Sequence, residues 1–251
     1  MTLDIIVDPA LSGVTHGFFG RAGGASSGVF AGLNCGFGSS DQHDVVAINR
    51  ARVAAAMGVP GDALVGVHQV HSARVEVVDA PDSARPEADA LVTATPGIAL
   101  SVLTADCQPV LLADTEAGVV GAAHAGWKGT MHGVLENTVD SMESLGARRE
   151  RIVAVIGPSI SQRAYEVGPD FADRLLAEDP GAGRFFAQGH GDRFQFDLPG
   201  YGLYRLRSAG VGEASWTRHC TYADPERFFS YRRSVHEKQA DYGRLIASIR
   251  L

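Results

Sequence analysis

The stretch TADCQPVLLADTEAGVVGAAHAGWKG, residues 104 to 129, carries one cysteine, Cys107, and one histidine, His124, at the two ends of an otherwise apolar run. Thiolate and imidazole are the donors that hold zinc, and they are equally the nucleophile and base of a cysteine hydrolase. Thr115, Glu116, Ala117 and Gly118 make a hairpin loop, so facing residues should have numbers summing to about 233. Cys107 then faces position 126, and His124 lies two residues from that position on the same side of the sheet, because side chains alternate with period two. Diagonal neighbours of this kind have Cβ atoms roughly 7 Å apart, a gap that a metal ion or a proton bridges. A bulge at the hairpin end would turn one of the pair to the opposite face.

A third donor comes from HQVHSARV, where His68 and His71 sit in a turn between two strand-like runs. From spacing alone either one can aim at the pair. One cysteine and two histidines suit zinc, with bonds of roughly 2.0 to 2.3 Å and a fourth position left open for water or substrate. The competing reading makes Cys107 a small buried hydrophobe and the histidines ordinary hydrogen-bonded side chains.

These residues need a scaffold, and the pattern of the chain predicts one. DVVAINRARVAAAMGV (44 to 59) keeps apolar residues at helical spacing, has Asp41 and Asp44 as candidate caps, and ends at Gly58 before Pro60. Apolar, β-branched runs at 64 to 69, 74 to 79, 98 to 104, 109 to 114, 119 to 124 and 151 to 157 read as strands. Helices are expected from about 129 to 145, from Pro169 to Leu176, and ending within 203 to 211. The glycine-rich segment 17 to 41 reads as loops and short strands, and DAPDSARPEADA (79 to 90) as a surface loop. Hairpin-grouped strands flanked by helices predict an α+β (mixed α/β) layered fold with mixed sheets, in a single domain over residues 1 to 251.

Composition narrows the function. A net charge of −7 with scattered Lys and Arg supplies no basic stripe for nucleic acid, which leaves small molecules as the expected partners. No run is long and apolar enough for a membrane span or an export signal. Three widely spaced cysteines, Cys35, Cys107 and Cys220, form neither a disulfide framework nor a zinc knuckle and suit a reducing cytoplasm. Oligomeric state and the preferred substrate are not legible here.

HQVHSARV (68 to 75), ADALVT (88 to 93), LTADCQPVLLAD (103 to 114), HAGWKGT (124 to 130), IGPSISQRAYEVG (156 to 168) and FFSYRR (228 to 233) together resemble the bacterial polyphenol oxidase or laccase-domain family, associated with purine nucleoside phosphorylase activity. The similarity runs in order from about residue 14 to 251. The resemblance implies an αββα-type sandwich and one zinc site with His71, Cys107 and His124 as ligands. It also implies phosphorolysis of adenosine, inosine, guanosine and methylthioadenosine, together with adenosine deamination.

For phosphate, the candidates are Arg21 in GRAGG, helped by the amides of Gly23 and Gly24, then Lys128, Arg232 and Arg233. Phe229 and Tyr231 are candidates to stack on a purine, although such a pair is more often core. Asp106 is expected to be structural, Glu166 to close a turn, and Cys35 and Cys220 to be buried thiols. Two departures from the family pattern stand out: Gly20 precedes Arg21 where a threonine is usual, and SVHEKQADYGR replaces a short DGxTGR-like turn after SYRR. Two other functions fit the residues. Copper-dependent phenol oxidation is one, since Cu²⁺ outcompetes zinc at most N/O/S sites, but the nine histidines form no HxH pair for a copper cluster. The other is a metal-free Cys107/His124 amidase acting on cell-wall precursors.

Overall fold

Alternating and fully apolar runs fold into two mixed sheets that face each other. The computed structural model describes residues 2 to 81 and 85 to 251, so Asp82, Ser83 and Ala84 of the expected 79 to 90 loop lie outside the described residues. The first sheet has the order β1 (Ile5–Ile6), β2 (Thr15–Phe19), β14 (Leu245–Arg250), β6 (Ala99–Thr104) and β3 (Leu64–Gly66), antiparallel except for β3 with β6. The second runs β13 (Glu213–Trp216), β9 (Val153–Ile156), β7 (Gln108–Asp114), β8 (Val119–Ala125), β5 (Ala90–Thr93) and β4 (Val75–Val77), with parallel pairs at its two edges.

The layers follow from which faces are apolar. Leu100, Val102 and Ile249 of the first sheet pack on Leu91, Leu111, Val120 and Val155 of the second. The outer face of the first sheet, at Leu64, Ala99 and Ile246, is covered by Val53 and Ala54 of α1 (His43–Ala56). On the outer face of the second, Val110, Ala123 and Ala154 meet Val134, Leu135 and Val139 of α3 (Val134–Ser144) and Leu206 of α5 (Leu198–Ser208). The result is the expected αββα sandwich. A small third sheet, β10 (Glu166–Val167), β12 (Phe194–Phe196) and β11 (Phe186–Gln188), joins α4 (Pro169–Glu178) around Leu175, Phe196 and Tyr201.

Several local expectations are corrected. The helix expected from 129 to 145 is two, α2 (Trp127–Met131) and α3, because Gly133 takes φ +92° between them. Neither Asp41 nor Asp44 caps α1, whose N-cap is Gln42 without a side-chain bond. Glu166 sits in a strand rather than closing a turn. The strand β14, missing from the pattern reading, lies between β2 and β6 and so binds the end of the chain into the first sheet.

Candidate metal centre and active site

The floor of the site is the β7–β8 hairpin. Its register pairs Gln108 with Ala125, Pro109 with His124 and so on to Asp114 with Val119, each pair summing to 233 as the loop residues predict. Cys107 lies one residue before this ladder, on the His124 side. The backbone leaves the ladder abruptly there, since Asp106 takes φ +85°. His71 comes from the turn before β4 and also has a left-handed backbone, φ +60°. Positive φ at a residue with a side chain is costly and must be held by its surroundings.

For His71 the holding group is Asp89. Its carboxylate accepts from the backbone N–H of Val70 (3.2 Å), His71 (3.0 Å) and Ser72 (2.6 Å) and from the Ser72 hydroxyl (2.8 Å). The same carboxylate stands 2.8 Å from His124 Nδ1. Asp89 therefore fixes two of the three candidate ligands at once, and it leaves His124 Nε2 facing the cluster. Nothing in ADALVT itself marks this residue, because what brings it to His124 is the pairing of Ala90 with Ala123 across distant strands.

The donor atoms of His71, Cys107 and His124 lie within 4.8 Å of one another, with Cys107 Sγ 3.9 Å from His71 Nε2. Tetrahedral zinc with bonds of roughly 2.0 to 2.3 Å needs neighbouring ligands about 3.5 Å apart, so small side-chain shifts complete the geometry. The donor set fits zinc, and the carboxylate on the far nitrogen of a ligand histidine is the support such sites use. Gly126 is part of the fit, since a Cβ there would fall 2.9 Å from Cys107 Sγ and 3.1 Å from the His71 ring. Among the described residues this is the one group of three donors so placed.

Electrostatics separate the three acidic and basic members. Burial pushes the Cys107 thiol up, but the charge and hydrogen bond of His124, then those of His71, outweigh it and bring it down to about 6. Burial pushes His124 down, and Cys107 and Asp89 reverse this, raising it to about 9. Asp89, despite burial, is drawn to about 2 by its bonds to His124 and Ser72. Cys107 and His124 thus each favour the charged form of the other.

The cluster opens onto a cavity of about 390 Å³ lined by Val70, Trp127, Lys128, Tyr165, Tyr231 and Arg232, among others. Lys128 Nζ lies 5.6 Å from the centre of the Trp127 ring and the Arg232 guanidinium 5.1 Å from that of Tyr165. Arg21 and Arg233 do not reach this cavity. Arg21 donates to the carbonyls of Ala31 and Pro225 and covers Phe229, which is buried; Arg233 donates to those of Thr221, Tyr222 and Phe228. His68 bridges to Glu87 through its backbone instead of joining the cluster. Asp106 is structural: it is buried and accepts from Thr221 Oγ1 (2.6 Å), Ser230 Oγ (2.9 Å) and Arg232 N (2.7 Å). Cys35 is fully buried, whereas Cys220 is only partly so and accepts from Ser161.

The family model described as multi-copper polyphenol oxidoreductase laccase matches residues 15–251. The chain belongs to that family. Within it, a Deinococcus radiodurans protein named purine nucleoside phosphorylase is 49% identical over 223 residues, covering 88% of this chain and 85% of the relative. Escherichia coli purine nucleoside phosphorylase YfiH is 39% identical over 213 residues, 85% of this chain and 86% of its own. A Neisseria meningitidis crystal structure superposes with a TM-score of 0.90 at 34% identity, covering 100% of this chain and 99% of that one. The laccase-family sandwich is therefore shared across the full length. Among the described residues, no helix is long and apolar enough to cross a membrane.

Proposed function

We propose that this protein is a zinc-dependent purine nucleoside phosphorylase acting on adenosine, inosine, guanosine or methylthioadenosine. The observation that carries the reading is the His71, Cys107 and His124 cluster, of which His71 and Cys107 line the 390 Å³ cavity, a size within the usual range for small-molecule sites. The name borne by the relatives supports it. In phosphorolysis a phosphate oxygen bonds to ribose C1′ while the C1′–N9 bond breaks. The electron pair leaves on the purine, and the proton of the hydrogen phosphate ends on the base.

Residues of this chain supply most of what that step needs. Trp127, Tyr165 and Tyr231 offer flat faces for a purine, Tyr231 being half exposed at the mouth. Burial holds the Tyr165 phenol above its ordinary pKa, so it remains an O–H donor for a ring nitrogen of the base. Lys128 and Arg232 place positive charge near the substrate's oxygens. Asp89 keeps His71 and His124 in position, a positioning role. What a bound zinc supplies is Lewis acidity at its open position, drawing charge from a substrate oxygen.

A second reading has its own observation. Asp89, His124 and Cys107 are arranged in the order carboxylate, imidazole, thiol, as in a cysteine hydrolase, and would suit amide cleavage of a cell-wall precursor. It leaves His71 without a part, whereas zinc uses all three donors. Phenol oxidation by a multicopper centre is less favoured, because the described residues make a single three-donor cluster.

The test is product analysis by mass spectrometry after incubating the zinc-loaded protein with adenosine and phosphate, beside Cys107→Ala. Adenine with ribose 1-phosphate, lost in the variant, is the expected result. Inosine alone would turn the reading to deamination, and no product above the variant would reject it in favour of the amidase.

A further inference from the structure

The cluster touches two cavities. Besides the 390 Å³ cavity there is a smaller one of about 190 Å³, and His71, Ala105 and Cys107 line both. The smaller one is finished by Gln69, Leu103, Thr104, His124, Tyr242 and Arg244, and among the described residues no carboxylate lines it. Sites for drug-sized ligands occupy roughly 300 Å³ or more, so the small cavity suits a compact ion instead.

Arg244 is built into place there. Its backbone N–H donates to Asn34 Oδ1, and Gly36 makes room for its stem, since a Cβ on Gly36 would lie 2.6 Å from Arg244 Cδ. The guanidinium lies 4.0 Å from the centre of the Tyr242 ring and is anchored through Nη1 to Asp241 Oδ1 and the Tyr242 carbonyl. Its other edge, Nε and Nη2, meets no acceptor among the described residues. That edge is the fork that takes two oxygens of one phosphate. Thr104, only 3% exposed, also lines the cavity, and its hydroxyl makes no side-chain hydrogen bond among the described residues.

We infer that the smaller cavity is the phosphate subsite, with the Arg244 fork and the Thr104 hydroxyl holding inorganic phosphate while the nucleoside occupies the larger cavity. This rests on the phosphorolysis reading. It gives that reaction what it requires, two compartments meeting where C1′ is to be transferred, so that phosphate and purine need not compete for one volume. It also gives the SVHEKQADYGR segment a part, since Tyr242 and Arg244 close its end.

The test pairs Arg244→Met and Thr104→Val with Lys128→Met from the larger cavity. Two quantities are measured: KM for phosphate against KM for inosine, and binding of inorganic phosphate without nucleoside, followed by ³¹P line broadening. Arg244→Met should raise the phosphate KM and weaken phosphate binding about tenfold or more, with inosine KM within about twofold. Thr104→Val should do the same by a few-fold, and Lys128→Met should move inosine KM more than phosphate KM. If Arg244→Met does not fold, Arg244→Lys, which keeps the charge and loses the fork, takes its place with an intermediate effect. Unchanged phosphate KM and binding, or both KM values rising together, overturns the inference. A wild type that cleaves nucleosides with phosphate binding indifferent to Arg244 removes the subsite alone. One that binds phosphate through Arg244 yet cleaves no nucleoside keeps the subsite and removes the phosphorolysis reading.

Discussion

The floor and the rim of the site are built on different physics. On the floor, the β7–β8 ladder pairs seven residues a side, with β5 alongside, so backbone bonds fix where Cys107 and His124 start. The rim, residues 217 to 244, has only the short helix α6 (Tyr231–His236) and is tied down by side chains. Asp106 collects Thr221, Ser230 and the Arg232 N–H, while Arg233 reaches the carbonyls of Thr221, Tyr222 and Phe228. A ladder spreads its load over many bonds and sets the positions of the candidate ligands; two side chains, Asp106 buried and Arg233 partly so, set the shape of a wall. Damage to the floor should therefore show in metal binding, and damage to the rim in substrate affinity.

The largest effect should come from the floor. Asp89→Asn keeps the shape of the side chain but removes the charge that faces three N–H groups, the Ser72 hydroxyl and His124. Zinc affinity, measured by competition with a chromogenic chelator, should fall about 10- to 100-fold, as it does when such supporting partners are lost. Stability of the metal-free protein should also fall, with a definite pH dependence. Asp89 is held at about 2 against an ordinary 3.8, so its contribution, on the order of 2 kcal/mol, is complete above about pH 4. It disappears as the pH drops from there through about 2, and the gap between wild type and variant should close over that interval. A gap that persists unchanged at pH 2 would mean the asparagine costs packing rather than charge.

The rim should answer differently to Asp106→Asn. The amide still accepts but presents one donor where three donors converge, and this loosens Thr221, Ser230 and the start of α6. KM for the nucleoside should rise about tenfold, on the scale of one lost charged hydrogen bond, with zinc stoichiometry unchanged. Loss of zinc together with affinity would show that floor and rim are one unit.

The same contrast explains what could be read from the sequence. The hairpin register followed from four loop residues and period two, so the diagonal placement of Cys107 and His124 was legible without any structure. It remained so even though Asp106 leaves the ladder, because the bend falls just before Cys107. Selecting His71 over His68 was not legible: it depends on a left-handed turn held by a carboxylate 18 residues away. Asp89 and β14 escaped for a related reason, both being placed by pairings between strands far apart in the chain. Arg21 shows the opposite case. A guanidinium among glycines suggests an anion site, yet here it satisfies loop carbonyls that no sheet or helix provides for.

The smallest change, and a direct reading of the floor's field, is the pH at which Cys107 becomes reactive. In metal-free protein, His124 and His71 bring its thiol to about 6 against an ordinary 9.0. The thiolate is the reactive form, so alkylation by iodoacetamide at Cys107, mapped by peptide mass spectrometry, should rise through about pH 6 and level off above it. It should fall away on the acid side, where protonation removes the thiolate. Zinc should suppress labelling throughout, since a ligating thiolate has no free lone pair directed at the reagent. His124→Gln removes the largest favourable contribution, so its profile should shift toward that of an ordinary thiol. A wild-type profile that rises only above about pH 8 would show that the imidazoles are too far from the sulfur to act on it. The floor would then need rearrangement before it could hold an ion, and the short approach of Cys107 to His71 would no longer support a preformed site.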